Sequence, residues 1–273
     1  MTEEDGASVG AEPRQRINAA EERDDAVLVH FLGSGDAFGS GGRMQTCIRV
    51  FTGTATILLD CGATSLVAMK RDGVDPQDVD AVVITHLHGD HFAGVPFLIL
   101  EAQFSKRTRP LTVAGPPGVR ARIQATMEAL FPGSSSVGRR FAVEWVELGD
   151  GCQVDVANTK VSAYEVLHAS GAPAYALRLS TSGVTLAYSG DTQWTDALID
   201  TARGADLFVC EAYFYNKDVK YHLDYRTLEH NLPRLCAHRV ILTHMSDDML
   251  ERADAIPLDA ATDGLVLRIY PKT

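Results

Sequence analysis

From residue 27 onward the chain alternates short apolar runs with polar, glycine- or proline-marked breaks. Val27–Leu32, Gln45–Phe51 and Ala55–Asp60 read as strands, the last two separated by the hairpin-length Thr52-Gly53-Thr54. Ala63–Arg71 has helical character, and Asp75-Pro76 breaks the chain before the strand Ala81-Val82-Val83-Ile84. A helix is expected over Phe92–Phe104, where Pro96 is tolerable only in the first turn. Leu111–Ala114 reads as a strand and Val119–Leu130 as a helix. Four strand patterns follow, Phe141–Val146, Cys152–Val156, Lys160–Val166 and Ala174–Leu179. Val184–Tyr188 is then a strand, Trp194–Ala202 a helix, Asp206–Cys210 a strand and Tyr225–Leu235 a helix. Arg239–Leu242 and Leu265–Tyr270 are the last strands. Strands first, then alternating strand and helix, then the same order again imply a layered α/β fold. With no linker in sight, residues 27–273 are expected to form one domain.

Residues 1–26 break this pattern. They carry eight acids against three arginines, are aperiodic, and read as a disordered acidic tail. The tail accounts for −5 of the net charge of −11 and leaves about −6 on the body. An acidic body repels phosphate backbones at long range, which disfavours tight binding to long nucleic acid. The five cysteines are scattered and never form a Cys-x-x-Cys pair, so a thiolate zinc site or disulfide framework is not expected. No apolar run reaches membrane-spanning length and no secretory signal is visible. A cytoplasmic protein without membrane contact is the expectation.

The densest chemistry lies in Thr85-His86-Leu87-His88-Gly89-Asp90-His91, directly after an apolar strand. Three imidazoles and a carboxylate within six residues suit zinc and similar borderline metals. The strand would hold the backbone still, and Gly89 is expected to let the loop turn so that the side chains converge. Other strands also end on polar residues. Asp191, Glu211 and His244 follow apolar runs, and His168 follows Tyr164–Leu167. Layered α/β proteins place ligand chemistry at strand ends, so these residues join the loop as candidates. The glycine loop Gly33–Gly39 lacks dinucleotide-binding spacing, the next segment Ser40-Gly41-Gly42-Arg43 does not open a helix, and the glycines more simply let backbone pass close to a site.

His-x-His-x-Asp-His at 86–91, then His168, Ser189-Gly190-Asp191 and Leu242-Thr243-His244, resembles the metallo-β-lactamase superfamily. The resemblance runs from about Val27 to the end of the chain. It implies an αβ/βα sandwich, with two packed mixed β-sheets, helices outside, and a dinuclear metal site at one edge. It implies that His86, His88 and His168 hold one metal, that Asp90, His91 and His244 hold the other, and that Asp191 bridges them. Zinc is the expected ion, with manganese or iron as alternatives. Two such ions about 3.5–4 Å apart generate a nucleophilic bridging hydroxide near neutral pH and clamp developing charge. Asp90 would both ligate and orient that hydroxide.

Within the superfamily the details are most similar to the ribonuclease Z-like, small phosphodiesterase branch. The similarity rests on Phe31-Leu32-Gly33-Ser34-Gly35, Arg43-Met44-Gln45-Thr46, Asp60-Cys61-Gly62 and Glu211-Ala212-Tyr213-Phe214 followed by His222. It implies that Glu211 and His222 act as a pair, the histidine assisting the leaving group, although Tyr221-His222-Leu223-Asp224 departs from the usual small-hydroxyl context. The gap from His168 to Asp191 has room only for two strands, not for the basic arm with which bacterial members grip tRNA. A small or short phosphodiester is therefore a better expected substrate than tRNA. An esterase, thioesterase or lactonase is the alternative enzyme, and a metal-binding scaffold without catalysis the alternative from another class. Dimerisation is common among such relatives, so a homodimer is compatible with the resemblance, though no sequence feature establishes one.

Other residues receive ordinary roles. His30 and His238 flank strands and are expected to be structural, and His230 solvated. Trp145 and Trp194 are expected to pack. Phe38, Tyr213 and Trp194 are candidates to line a cleft, and Arg43 to meet a substrate anion or form a surface ion pair.

Overall fold

The computed structural model describes residues 25–272, so the acidic tail expected over residues 1–26 lies almost wholly outside the described residues. One seven-stranded sheet contains β1 (Val27–Gly33), β2 (Cys47–Phe51), β3 (Thr56–Leu59), β4 (Ala81–Val83), β5 (Leu111–Gly115) and β6 (Val143–Glu147). The last strand of the chain, β14 (Val266–Ile269), returns to pair with β1. The second sheet holds β7 (Gln153–Val156), β8 (Thr159–Val166), β9 (Ala174–Thr181), β10 (Val184–Tyr188), β11 (Leu207–Glu211), β12 (Val240–Thr243) and β13 (Asp259–Ala260). Both sheets are mixed. Each begins with antiparallel neighbours and turns parallel, after β3 in the first and after β10 in the second.

Side-chain alternation builds the layers. Ile57 and Leu59 of β3, and Leu207 and Val209 of β11, point into the space between the sheets, where they meet Val83, Leu177 and Tyr188. Leu58 and Phe208 point the other way, into two outer cores. A period of two thus feeds two cores from one strand. The first outer core is closed by α1 (Ser65–Arg71), α3 (Val95–Phe104) and α4 (Val119–Leu130). The second is closed by α5 (Ala197–Ala202), α6 (Tyr225–Leu235) and α7 (Asp247–Leu250). In α6, Tyr225, Leu228, Asn231 and Leu235 are buried at helical spacing, and the Asp224 side chain caps the first turn by accepting from Thr227 N at 2.9 Å. The architecture is the αβ/βα sandwich that the superfamily resemblance implies, within the layered α/β class that the strand and helix order implies.

Several boundaries differ from expectation. The helix expected over Phe92–Phe104 is two: a single turn, α2 (Gly89–Phe92), and α3, which starts at Val95 and so places Pro96 in its first turn. The proline costs nothing there, because that N–H has no helical acceptor in any case. The helix expected from Trp194 starts at Ala197. Among the described residues no helix is long and apolar enough to cross a membrane.

Candidate metal centre

The parallel strands point their C-terminal ends at one edge of the sandwich. His86 and His88 follow β4, Asp90 and His91 ride on α2, His168 follows β8, Asp191 follows β10, and His244 follows β12. The structure brings all seven together as two adjoining groups, His86–His88–His168 and Asp90–His91–Asp191–His244. Donor atoms within each group lie within 4.8 Å of one another. Asp191 sits between the groups, with Oδ1 3.3 Å from His91 Nε2 and Oδ2 3.2 Å from His244 Nε2 and 3.8 Å from His86 Nε2.

Outer contacts fix which ring nitrogen of each histidine faces inward. Thr85 Oγ1 donates to Asp60, which leaves it as acceptor for His86 Nδ1–H at 3.0 Å. Asp60 Oδ2 accepts from His91 Nδ1 at 2.7 Å, and the Tyr221 carbonyl accepts from His168 Nδ1 at 2.8 Å. Thr46 Oγ1 donates to the Gly35 carbonyl and so accepts from His244 Nδ1 at 3.2 Å. Each of these four rings is thereby held with its Nε2 lone pair toward the cluster, as a ligating histidine requires. His88 instead turns Nδ1 inward, 3.0 Å from His168 Nε2.

The cluster fits a bound cation on two further observations. His86 Nε2 is buried without a hydrogen-bond partner, and His91 Nε2 and Asp191 Oδ1 face each other at 3.3 Å without forming a well-aligned bond, a cost native proteins avoid unless something else satisfies the atoms. Burial also holds His86 well below the usual imidazole value, pushes His168 down to about 4 and lowers His244. Neutral imidazole is the ligating form. At His91 burial again lowers the pKa, but the Asp191 and Asp90 carboxylates override it and raise the group well above its ordinary value. Two buried carboxylates therefore favour positive charge at this point. The donor set is nitrogen and oxygen only, which suits zinc, manganese or iron.

The loop is shaped differently from the sequence expectation. Gly89 has an ordinary backbone, and a side-chain carbon there would touch only Ala93 Cβ at 3.9 Å. The close approach is made by Gly62, where a Cβ would lie 2.3 Å from the Asp90 carbonyl oxygen. Cys61 N donates to the His91 carbonyl at 2.6 Å and Gly94 N to the Cys61 carbonyl at 2.8 Å, so the Asp60-Cys61-Gly62 turn braces the histidine loop. Gly190 has a left-handed φ of 56° and packs against Thr85, which sets Asp191 at the site.

Glu211 ends β11, fully buried, and its Oε2 accepts from His222 Nδ1 at 3.0 Å. Thr192 N donates to the other oxygen. Burial pushes the Glu211 carboxyl up to about 7. At His222 burial acts downward, but the hydrogen bond to Glu211 prevails and pushes the imidazole up to about 9. His222 also comes within reach of His168 and Asp191. Tyr213 lies stacked on its ring and is bonded through its hydroxyl to Asp36.

Asp60, Thr46 and Thr85 belong to motifs quoted above, but their role in orienting the histidines is visible only in the structure. Asp60 carried the same signal as the others, a polar residue directly after an apolar strand. Phe38 is exposed, Trp145 and Trp194 pack against the outer cores, and His30 is buried beside Asp72. His238 is exposed, a correction to its structural reading, and His230 is exposed as expected. Arg43 Nη1 donates to the Ala261 carbonyl at 2.5 Å, so part of its guanidinium is engaged within the fold.

A profile of the anti-Pycsar protein Apyc1 family matches residues 27–261. This chain belongs to that family. It has the metallo-β-lactamase fold, and its sequence is similar to that of ribonuclease Z. It is 23% identical to ribonuclease Z of Agathobacter rectalis over 281 residues, covering 84% of this chain and 91% of the relative. The fold is shared with Bacillus subtilis YhfI, a metallo-β-lactamase fold protein, at a TM-score of 0.72 and 19% identity, covering 89% of this chain and 100% of the other. The short form of human tRNase Z matches with the same TM-score at 24% identity, covering 89% of this chain and 99% of the other.

Proposed function

We propose that this protein is a phosphodiesterase that uses two divalent ions and acts on a small or short phosphodiester rather than tRNA. The observation that carries the reading is the Glu211–His222 pair, hydrogen-bonded at 3.0 Å and set beside the seven-residue cluster. His86, His88 and His168 would hold one ion, Asp90, His91 and His244 the other, and Asp191 both. When bound, such a pair of ions supplies an activated water and stabilises charge developing on the phosphoryl oxygens.

The protein's own groups supply the rest. Asp90, held down to about 2 by its contact with His91 despite burial that opposes ionisation, is a carboxylate at working pH and orients the attacking water. Glu211 accepts the Nδ1–H of His222, so the proton available for transfer sits on Nε2. An alkoxide is a poor leaving group, and a proton delivered from His222 Nε2 lets it depart as an alcohol. A thioester releases a thiolate that departs without that proton, so the pair favours an alkoxide-releasing substrate such as a phosphodiester over a thioester.

The preference for a small substrate rests on what lies between His168 and Asp191. That stretch is β9, the turn at Ser182 and Gly183, and β10, with no insertion that could embrace an RNA. The test is metal analysis coupled to a hydrolysis panel of bis-nitrophenyl phosphate, cyclic nucleotides, a pre-tRNA, a thioester and a lactone. Two equivalents of divalent metal and turnover of phosphodiesters are expected. Site-specific cleavage of pre-tRNA contradicts the substrate assignment, and preferential turnover of the thioester or lactone contradicts the reaction class.

A further inference from the structure

A cavity of about 220 Å³ lies on the outer face of the first sheet, at its β6 edge, walled by α3, α4 and the loop after α4. None of its lining residues belongs to the metal cluster. Its apolar wall includes Met127, Phe141 and Trp145, and its polar groups include Arg120 and Arg139. No carboxylate lines it, although the chain as a whole carries −11. Glu128, at the end of α4, is turned to the Gly133 and Ser135 N–H groups at 2.7 and 2.9 Å.

The two guanidiniums are held differently. Arg139 donates to the Ser134 carbonyl, while its Nε–H is buried with no acceptor. Arg120 is exposed on the first turn of α4, and neither arginine is paired with a carboxylate among the described residues. Arg is the side chain best matched to carboxylate and phosphate oxygens, and both guanidiniums line the cavity with no carboxylate beside them there. The aromatic lining residues Trp145 and Phe141 suit a ring, and the volume suits a ligand smaller than most pockets accept.

We propose that this cavity is a second ligand site, separate from the metal centre, for a small aromatic anion whose ring packs on Trp145 and Phe141 and whose anionic group meets Arg120 and Arg139. Carboxylate and phosphoryl groups share the required chemistry. Trp145 provides a local reporter, because the only other tryptophan, Trp194, lies against the second sheet's helices. In the metal-loaded Trp194→Phe protein, Trp145 fluorescence is titrated with phenylphosphonate, benzoate and neutral benzyl alcohol.

At least one of the two anions should give a saturable change, and which one does identifies the anionic group. Benzyl alcohol should bind roughly tenfold more weakly or not at all, as expected from losing one charge-assisted contact. Arg120→Gln, an exposed helix-surface change, and Arg139→Gln should each weaken the anion by a similar factor. Arg120→Gln keeps the test decisive if Arg139→Gln fails to fold. Absence of saturation with either anion overturns the proposal. So does equal binding of benzyl alcohol, or binding unchanged in Arg120→Gln. These outcomes are independent of whether the metal centre is a phosphodiesterase.

Discussion

Tyr213 lies on the face of His222, with ring centroids 4.6 Å apart and planes 29° apart. The imidazole is thus held at two points, by Glu211 at Nδ1 and by an aromatic face whose own hydroxyl is bonded to the fully buried Asp36. Such a clamp restricts the ring, so its removal should affect the proton-transfer step selectively. Tyr213→Leu is expected to lower kcat on alkyl phosphodiesters by about tenfold or more, within the range that general acid–base catalysis contributes. Tyr213→Phe, which keeps the stack, should retain most of the rate. Steady-state kinetics on one alkyl and one nitrophenyl substrate would check this, and equal losses on both would assign Tyr213 a merely structural role.

Asp60 orients His91 through a 2.7 Å bond and also receives Thr85 and the Tyr188 hydroxyl. Outer-shell partners of this kind typically tune metal affinity by 10–100-fold. Asp60→Asn, which keeps the volume but not the charge, is expected to weaken one of two bound ions by about that factor. Competition with a chromophoric chelator resolves the two ions, and unchanged affinity for both would remove Asp60 from the centre.

Metal removal should also be read in stability. Without a cation, Asp90 and Asp191 are two buried carboxylates beside buried imidazole nitrogens. Ions bound at a thousand times their dissociation constant stabilise the fold by about 4 kcal/mol. That corresponds to roughly 8–16 °C in Tm for a chain near this size. Chelation should lower the Tm by that order and readdition of zinc should restore it. A Tm indifferent to chelator would argue against a built metal site.

The fold was legible because each strand writes its two faces into alternate positions, as Ile57, Leu58 and Leu59 do. The cluster was legible because its histidines follow such strands directly. The bracing contacts were not. Asp60 reaches His91 across 31 residues and Thr46 reaches His244 across 198, and no local pattern encodes a contact of that span. Gly62 was opaque for the same reason, since its need to be glycine comes from the Asp90 backbone rather than from its own turn. Arg43 shows the same limit, since its glycine-rich setting gives no sign that the loop folds back and brings Nη1 to the Ala261 carbonyl.

Acid sensitivity has a defined source away from the site. His30, buried in β1 with Nε2 3.2 Å from Asp72, has its pKa lowered by burial against the opposing pull of that carboxylate. The folded state therefore resists a proton that the unfolded chain accepts near pH 6.5. The sign follows directly: above pH 6.5 the group has no effect, and as pH falls through 6.5 stability is lost until the lowered folded value is reached. The non-titrating His30→Gln variant should gain relative to the parent between pH 7.5 and 5.5, by at most about 1.4 kcal/mol per pH unit. Urea unfolding of both proteins at the two pH values measures this. A constant difference would contradict it.

The most direct test of the Glu211–His222 pair, on which the phosphodiesterase reading stands, is the leaving-group dependence of His222→Ala in the metal-loaded enzyme. A nitrophenolate leaves without a proton and an alkoxide does not. The variant should lose about 10²–10⁴-fold in kcat on an alkyl phosphodiester while remaining close to the parent on bis-nitrophenyl phosphate. Equal losses on the two substrates would contradict the acid role of His222 and, with it, the argument that this centre is built for phosphodiesters.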